Sequence, residues 1–133
     1  MLHLVGEVPH LSNAGCLFEQ LLHLAAQRTV VRGCLLTNNT NAGVLLMGVY
    51  ATAEGNHCRG NTSYGVRATT AGCMVIKNVV MGTAGSLNYA FSTGTRFGAV
   101  VNVLPSAAPV SVAPGAAAAG TFTTTDPNAN LSY

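Results

Sequence analysis

Four carboxylates are the residues of this chain that point most directly to a reaction. They are Glu7, Glu19, Glu54 and Asp126. Hydrolysis of a glycosidic bond uses two carboxyl groups that face one substrate, and a calcium-dependent lyase needs several carboxylates around the ion, beside a base. No two of the four occupy equivalent positions in the internal repeat described below. The sequence therefore disfavours a hydrolase acid pair, and a calcium site is less supported still.

One short stretch and its neighbours bring together side chains that can act as an acid, a base or a cation. The candidate catalytic residues are Glu54, His57 and Arg59, with His57 as the base and Lys77 extending the polar patch. In the alternative interpretation, Glu54 faces Arg32 as a structural ion pair and His57 is a solvated surface imidazole. The serine, threonine and cysteine residues have no base and orienting partner at a recognisable spacing, so nucleophilic catalysis is not indicated.

The cysteine spacing does not indicate a metal site. Cys16, Cys34, Cys58 and Cys73 show no Cys-x-x-Cys pair and no matching pair of histidines, which argues against zinc and favours buried free thiols. A phosphate-binding loop and a dinucleotide-binding glycine motif are both missing from the sequence. We therefore predict no cofactor and no metal.

The composition limits the classes of partner. With 133 residues the chain predicts one domain over residues 1–133. Charged residues make up 8%, and the net charge of +2 comes from scattered side chains, so neither nucleic acid nor an anionic membrane is an expected partner. No apolar run reaches the roughly 18 residues of a membrane span. The opening "MLHLVGEVPHL" shows no signal peptide, which predicts a chain that is not exported or a leader further upstream.

An internal repeat defines the elements that must position these side chains. The stretch "RGCLLTNNTNAGV" at 32–44 returns as "EGNHCRGNTSYGV" at 54–66. Laid over one another, residues 29–50, 51–72 and 73–94 place small or apolar side chains in shared columns, which indicates inward-facing rows. The columns are Val31 with Ala53 and Val75, Leu36 with Cys58 and Val80, Leu46 with Ala68 and Ala90, and Val44 with Val66.

Within each unit, short alternating apolar runs are interrupted by glycine or asparagine, which is typical of strands and turns. Three short strands per unit form one coil that hydrogen-bonds to the coils about 4.8 Å above and below it. The sequence thus predicts an all-β parallel solenoid in which residues one unit apart are stacked. The expected stacked pairs are Arg32 over Glu54, Arg67 over Tyr89 as a cation-π contact, Asn56 over Asn78, and Asn39 over Asn61, with Thr83 continuing the last column. Asn39, Asn61 and Thr83 are each expected to follow a left-handed turn residue, namely Asn38, Gly60 and Gly82.

The two ends depart from the repeat. Residues 1–28 are predicted to form a cap that contains a short helix, with Asn13 as N-cap and with Leu17, Phe18, Leu21, Leu22, Leu24 and Ala25 at helical spacing. Residues 29–96 are the repeat coils. Residues 97–133 begin with one more strand, "FGAVVNVL", and continue in a segment rich in proline, alanine and glycine, which is predicted to be an extended closing segment that either wraps the last coil or remains mobile.

The spacing of glycine, asparagine and valine from Glu54 to Val66 resembles the right-handed parallel β-helix proteins of the pectate-lyase-like superfamily. The closing stretches "NYAFSTGTRFGAVVNV" and "DPNANLSY" are similar to the ends of bacterial members. The resemblance covers residues 29–133 and implies a right-handed parallel β-helix of about three to five coils, as a C-terminal portion or a minimal version of such a protein. It also implies an extracellular or cell-surface location.

These observations favour a non-catalytic β-helix module that is structural or that binds polysaccharide or cell-surface glycans through side chains along its flat sheets. A second hypothesis is a carbohydrate-active enzyme, either a polysaccharide lyase or a glycoside hydrolase, or a remnant of one. A third is a unit that associates with copies of itself through the open sheet edges at the ends of the solenoid.

Overall fold

The computed structural model describes residues 27–83, 87–102 and 127–133, together with five strands elsewhere in the chain. The fold is all-β, and no helix occurs among these residues. The strands are β1 (Leu2–Leu4), β2 (His10–Ser12), β3 (Leu17–Phe18), β4 (Leu22–Leu24), β5 (Val30–Arg32), β6 (Leu35–Thr37), β7 (Ala42–Leu46), β8 (Thr52–Glu54), β9 (His57–Arg59), β10 (Tyr64–Ala68), β11 (Met74–Ile76), β12 (Val79–Met81), β13 (Leu87–Phe91), β14 (Arg96–Phe97), β15 (Val100–Asn102), β16 (Ser111–Val112) and β17 (Asn130–Ser132).

These strands form three sheets in which every pairing is parallel. Sheet A has the order β1-β4-β7-β10-β13-β16, sheet B the order β14-β11-β8-β5-β2, and sheet C the order β15-β17-β12-β9-β6-β3. Apart from the contacts of β17, neighbours within a sheet are three strands apart in sequence. The chain therefore visits the three sheets in turn, and its units hydrogen-bond to one another.

The pairing register confirms the predicted interior columns of sheets B and C. Val31 lies opposite Ala53 and Ala53 opposite Val75, and a second column joins Leu36, Cys58 and Val80. In sheet A, Val44 lies opposite Val66 as expected. All of these side chains are fully buried and belong to one apolar core. The repeat spacing thus sets the packing, because side chains on neighbouring parallel strands meet directly.

One predicted column is wrong in its last member. Ala68 lies opposite Phe91 rather than Ala90, and Arg67 lies opposite Ala90 rather than Tyr89. The reason is one additional residue in the third unit between β12 and β13. The offset of β12 from β9 is that of the repeat, whereas β13 lies one residue further from β10. The ring of Tyr89 is therefore buried in the core, and the predicted contact between Arg67 and Tyr89 does not form.

Three files of left-handed residues, each with the spacing of the repeat, mark the corners between the sheets. The file with φ near +60° at Asn38, Gly60 and Gly82 confirms the predicted turns. The other two files are Gly33, Gly55 and Lys77, and Arg28, Tyr50, Gly72 and Gly94. In the two files that follow sheets B and C, the next residue turns inward and is buried, so each corner delivers a side chain to the core.

Four of these left-handed residues are followed by the predicted asparagines, all of which are buried. The Nδ2 group of Asn56 donates to Oδ1 of Asn78 at 3.0 Å, and Nδ2 of Asn39 donates to Oδ1 of Asn61 at 2.8 Å. Thr83 is buried at the equivalent position after Gly82. The stacked arrangement gives both polar atoms of the Asn56 and Asn78 side chains a partner, whereas Oδ1 of Asn39 and the hydroxyl of Thr83 are buried without a hydrogen-bond partner in the described part of the chain.

The predicted N-terminal helix is not found. Within its expected range, Leu17–Phe18 and Leu22–Leu24 are strands that pair with Leu35–Leu36 and with Val44–Leu46. The alternation in Leu22-His23-Leu24 has the two-residue period of a strand, and short apolar runs satisfy helical and strand periods alike. The predicted N-cap Asn13 lies outside the described residues.

Beyond the repeats, the stretch predicted as one strand contributes to two, since Phe97 ends β14 and Val100–Asn102 forms β15. The C-terminal segment contributes one strand, β17, to the described fold. This strand is inserted in sheet C between β12 and β15.

The core contains an ionisable thiol whose burial predicts a loss of stability in alkali. Burial raises the pKa of Cys58 far above its ordinary value of 9.0, and the neighbouring Cys34 raises it further. A thiol that stays protonated in the folded state favours the unfolded state once pH exceeds the unfolded pKa. Between pH 9 and 11 we expect the free energy of unfolding of the wild type to fall more steeply than that of Cys58→Ala, by ~1 kcal/mol per pH unit. Urea unfolding at each pH measures both slopes, and parallel slopes would contradict the expectation.

Candidate functional site

The predicted catalytic residue Glu54 is part of an ion-pair network on sheet B. Its Oε2 atom accepts from Nε of Arg32 at 2.9 Å and lies 2.6 Å from Nη2 of the same guanidinium. Its Oε1 atom lies 3.5 Å from Nζ of Lys77. This confirms the predicted pairing of Arg32 with Glu54. Both oxygens of the carboxylate are thus engaged by cations, which leaves neither free to contact a substrate.

The other two candidates lie on a different sheet. His57 and Arg59 are exposed on β9 of sheet C, on either side of the inward-facing Cys58. They stand in the outward rows with Val79 and Met81 of the next strand. No hydrogen bond or ion pair within the described ranges joins either of them to Glu54. The structure therefore does not bring the three predicted residues together as a catalytic group, while Glu7, Glu19 and Asp126 lie outside the described residues.

The thiols of this region are not available for nucleophilic or redox chemistry at the surface. Cys34, Cys58 and Cys73 are buried, as predicted, and Cys58 and Cys73 are free thiols, while Cys16 lies outside the described residues. Cys73 donates to the carbonyl of Gly48 at 3.3 Å. Across residues 27–83, 87–101 and 127–133, no cluster of three His, Cys, Asp or Glu side chains is arranged to hold a metal ion.

A groove on sheet A combines an aromatic ring with a cation. It has a volume of about 230 Å³ and is lined by Tyr64, Arg67, Ala68, Leu87, Ala90, Phe91 and Ser92. The guanidinium carbon of Arg67 lies 4.6 Å from the centroid of the Tyr64 ring, which is a cation-π distance. The ring thereby supports the planar guanidinium, whose donors match a carboxylate.

A glycine positions this pair. In a regular strand, residues three apart point to opposite faces, yet Tyr64 and Arg67 line the same groove. The regular alternation is interrupted at Gly65, where a Cβ atom would overlap Cγ1 of Val80 and crowd the carbonyl oxygen of Asn88. Only a residue without a side chain fits there, and Gly65 and Val66 are both buried, which places Tyr64 and Arg67 on the same outer side.

The sequence does not reveal this site, because Tyr64 and Arg67 are three residues apart and do not fit the two-residue period of a strand. The repeat alignment also places Arg67 over Tyr89 instead of beside Tyr64. The available signal was the glycine at the equivalent positions 43 and 65, since glycine is disfavoured in the interior of a strand.

In the part of the chain that the structure describes, no helix is long and apolar enough to cross a membrane. A scan against protein-family models, a search of curated proteins and a search of solved structures returned no match. The resemblance to pectate-lyase-like proteins therefore stays a prediction.

Proposed function

We propose that this chain is a right-handed parallel β-helix of the pectate-lyase-like type and that it serves outside the cell as a non-catalytic module that binds acidic glycans. The visiting order of the three parallel sheets and the register of the repeat support the β-helix. Its flat outer faces repeat at the strand spacing of about 4.8 Å, which gives an extended polymer a row of equivalent contacts.

The observation that carries the proposal is the groove formed by Tyr64 and Arg67. A guanidinium held at 4.6 Å over an aromatic ring is fixed in position before a ligand arrives, so less side-chain entropy is lost on binding. Its free edge offers paired N–H donors to the carboxylate of a uronic acid. Ser92 adds a hydroxyl for neutral sugar hydroxyls. The preferred ligand is an oligosaccharide that contains uronic acid.

The ion pairs of Glu54 weigh against the enzyme hypothesis. The only acidic side chain among residues 27–83, 87–101 and 127–133 is this carboxylate, and Arg32 and Lys77 occupy its two oxygens. Hydrolysis by the usual route needs a second carboxyl group across the scissile bond. The described part of the chain has none to offer, so binding without cleavage is the function favoured by these contacts.

Arg67→Ala is expected to weaken binding of an oligogalacturonate by about tenfold or more, since a hydrogen bond to a charged group contributes roughly 1.5–3 kcal/mol. Titration calorimetry with the acidic oligosaccharide and with a neutral glucan oligomer measures the effect. The neutral oligomer should bind weakly and equally to both proteins. Arg59→Ala, which removes an exposed arginine from sheet C, is the matched control and should leave both affinities unchanged.

The same oligosaccharides test the enzyme hypothesis. Incubation with pectin, alginate and glucan, followed by assays for new reducing ends and unsaturated products, should reveal no turnover. Turnover that disappears in Glu54→Gln would contradict the proposal and favour a carbohydrate-active enzyme. Equal binding of acidic and neutral oligomers to wild type and Arg67→Ala would remove the groove as the site.

A further inference from the structure

The C-terminal strand β17 is inserted in sheet C out of sequence order. Leu131 lies opposite Val79 on one side and opposite Val101 on the other. Val101 follows Val79 by one repeat length, which separates direct neighbours elsewhere in sheets B and C of the repeats. In sheet B of the same unit, Phe97 does lie directly opposite Val75. The last unit, which contains β14 and β15, therefore pairs directly with the preceding unit in sheet B, through β14 and β11. In sheet C the inserted strand β17 separates β15 from β12.

Specific side-chain bonds fix the inserted strand. Asn130 continues the asparagine ladder, since its Oδ1 atom accepts from the backbone N–H of Asn78 at 3.1 Å and from the Asn78 amide at 3.1 Å. Its Nδ2 group donates to the carbonyls of Val75 at 3.0 Å and Gly98 at 3.1 Å. Asn130 is fully buried. The slot therefore selects asparagine at this position.

Two core residues reach the rest of the strand. Nδ2 of Asn88 donates to Oγ of Ser132 at 2.8 Å, and the hydroxyl of Tyr89 lies 2.8 Å from the carbonyl oxygen of Leu131. Ser132 is fully buried as well. The slot between β12 and β15 is thus a binding site for an extended segment with the pattern Asn-x-Ser.

A glycine leaves room for the segment that leads into the slot. A Cβ atom on Gly98 would overlap the backbone oxygen of Asn128, and this contact is with backbone, which cannot rotate away. The backbone N–H of Lys77 donates to the same oxygen at 3.1 Å. Gly98 is thus needed by the inserted segment.

We propose that this slot also takes the C-terminal segment of a second copy of the chain, so that two copies associate by exchanging β17. Every bond described above joins the segment to the slot and would form identically between copies. The chain between Val112 and Asn130 can span roughly 55 Å when extended, which is ample for a neighbouring molecule. If β17 leaves, the spacing of one repeat allows β15 to close onto β12 with every side chain on its present face, which lowers the cost of exchange. Exchange of identical elements is a low-cost route to dimers.

Two complementary full-length variants test the exchange. Asn130→Ala keeps the slot and weakens the segment, and Gly98→Ala keeps the segment and obstructs the slot. When the two variants are mixed in equal amounts, only one pairing has both parts intact. In that pairing, the slot of Asn130→Ala binds the C-terminal segment of Gly98→Ala. Light scattering after size exclusion should detect a species of twice the chain mass in the mixture and at least tenfold less of it in either variant alone. Amide hydrogen exchange of residues 130–132 in isotope-labelled Gly98→Ala should slow on mixing.

A mixture that remains at the mass of one chain, with unchanged exchange at residues 130–132, would overturn the proposal. If a variant does not fold alone, both are refolded together, and recovery of the β-sheet circular dichroism is the readout. A peptide of residues 126–133 provides a second measurement. It should raise the melting temperature of Asn130→Ala, while the same peptide carrying Asn130→Ala should not, and equal effects of the two peptides would also overturn it. The outcome does not depend on glycan binding.

Discussion

Replacing Asn78 by alanine is expected to lower the free energy of unfolding by about 4 kcal/mol, because two buried donors lose their acceptor and each costs roughly 1–3 kcal/mol. Oδ1 of Asn78 accepts from the backbone N–H of Asn56 at 3.0 Å and from its side-chain amide at 3.0 Å. Nδ2 of Asn78 donates to the carbonyl of Ala53 at 3.0 Å and to Oδ1 of Asn130 at 3.1 Å. The substitution interrupts the ladder in its middle. Urea unfolding should lower the midpoint without changing the slope.

Asn38→Gly is the control for this substitution. Asn38 is exposed and left-handed, with φ of 55°, a conformation that glycine adopts freely. Its replacement should change the free energy of unfolding by no more than about 0.5 kcal/mol. If Asn78→Ala were as mild as Asn38→Gly, the ladder would not be a source of stability.

The ladder was predictable from the sequence because its members obey the repeat. Asn56 and Asn78 are one repeat apart, as are Arg32 and Glu54, and parallel strands place such residues directly over one another. The next rung was not predictable, since Asn130 follows Asn78 by 52 residues. Nothing in the local sequence marks Asn130 as a member of the same column, because its position depends on where the chain returns to sheet C after β15.

The N-terminal strands were missed for a related reason. The strand β4 pairs with β7 at the spacing of the repeat, but the offsets of β1, β2 and β3 are shorter, since Leu2 lies opposite Leu22 and Leu17 lies opposite Leu35. An alignment at the fixed offset of the repeat therefore passes over them. The duplicated Leu-His-Leu at 2–4 and 22–24 was the available signal, and the structure pairs these two tripeptides residue by residue.

The candidate site was less predictable than the fold. Stacking assigns residues to columns, but a single inserted residue before β13 moved Tyr89 into the core and left Arg67 opposite Ala90. The contact of Arg67 with Tyr64 on its own strand follows from the irregularity at Gly65, which column reasoning does not describe. A site that arises where the chain departs from its repeat cannot be predicted by aligning the repeat units.

Tyr89→Ala is expected to destabilise the fold by about 5 kcal/mol, because truncating a buried aromatic costs roughly 3–5 kcal/mol and a hydrogen bond is lost as well. Tyr89 is the largest fully buried side chain of the described core, and its ring lies 5.8 Å from that of Phe91. Its hydroxyl lies within hydrogen-bond distance of the carbonyl oxygens of Asn78, at 2.9 Å, and Leu131, at 2.8 Å, and donates its one hydrogen to either. The residue therefore joins the core to the inserted C-terminal strand.

Tyr89→Phe separates these two contributions, since it keeps the ring and removes only the hydroxyl. We expect it to cost about 1–2 kcal/mol and to speed amide exchange in residues 130–132 more than in β8 or β9. Tyr50→Ala is the matched control, because that residue is 61% exposed and the loss of its ring should cost less than about 1 kcal/mol. Chemical unfolding followed by circular dichroism ranks the three variants. If Tyr89→Ala ranked with Tyr50→Ala, the packing of Tyr89 against the core and the C-terminal strand would not contribute to stability.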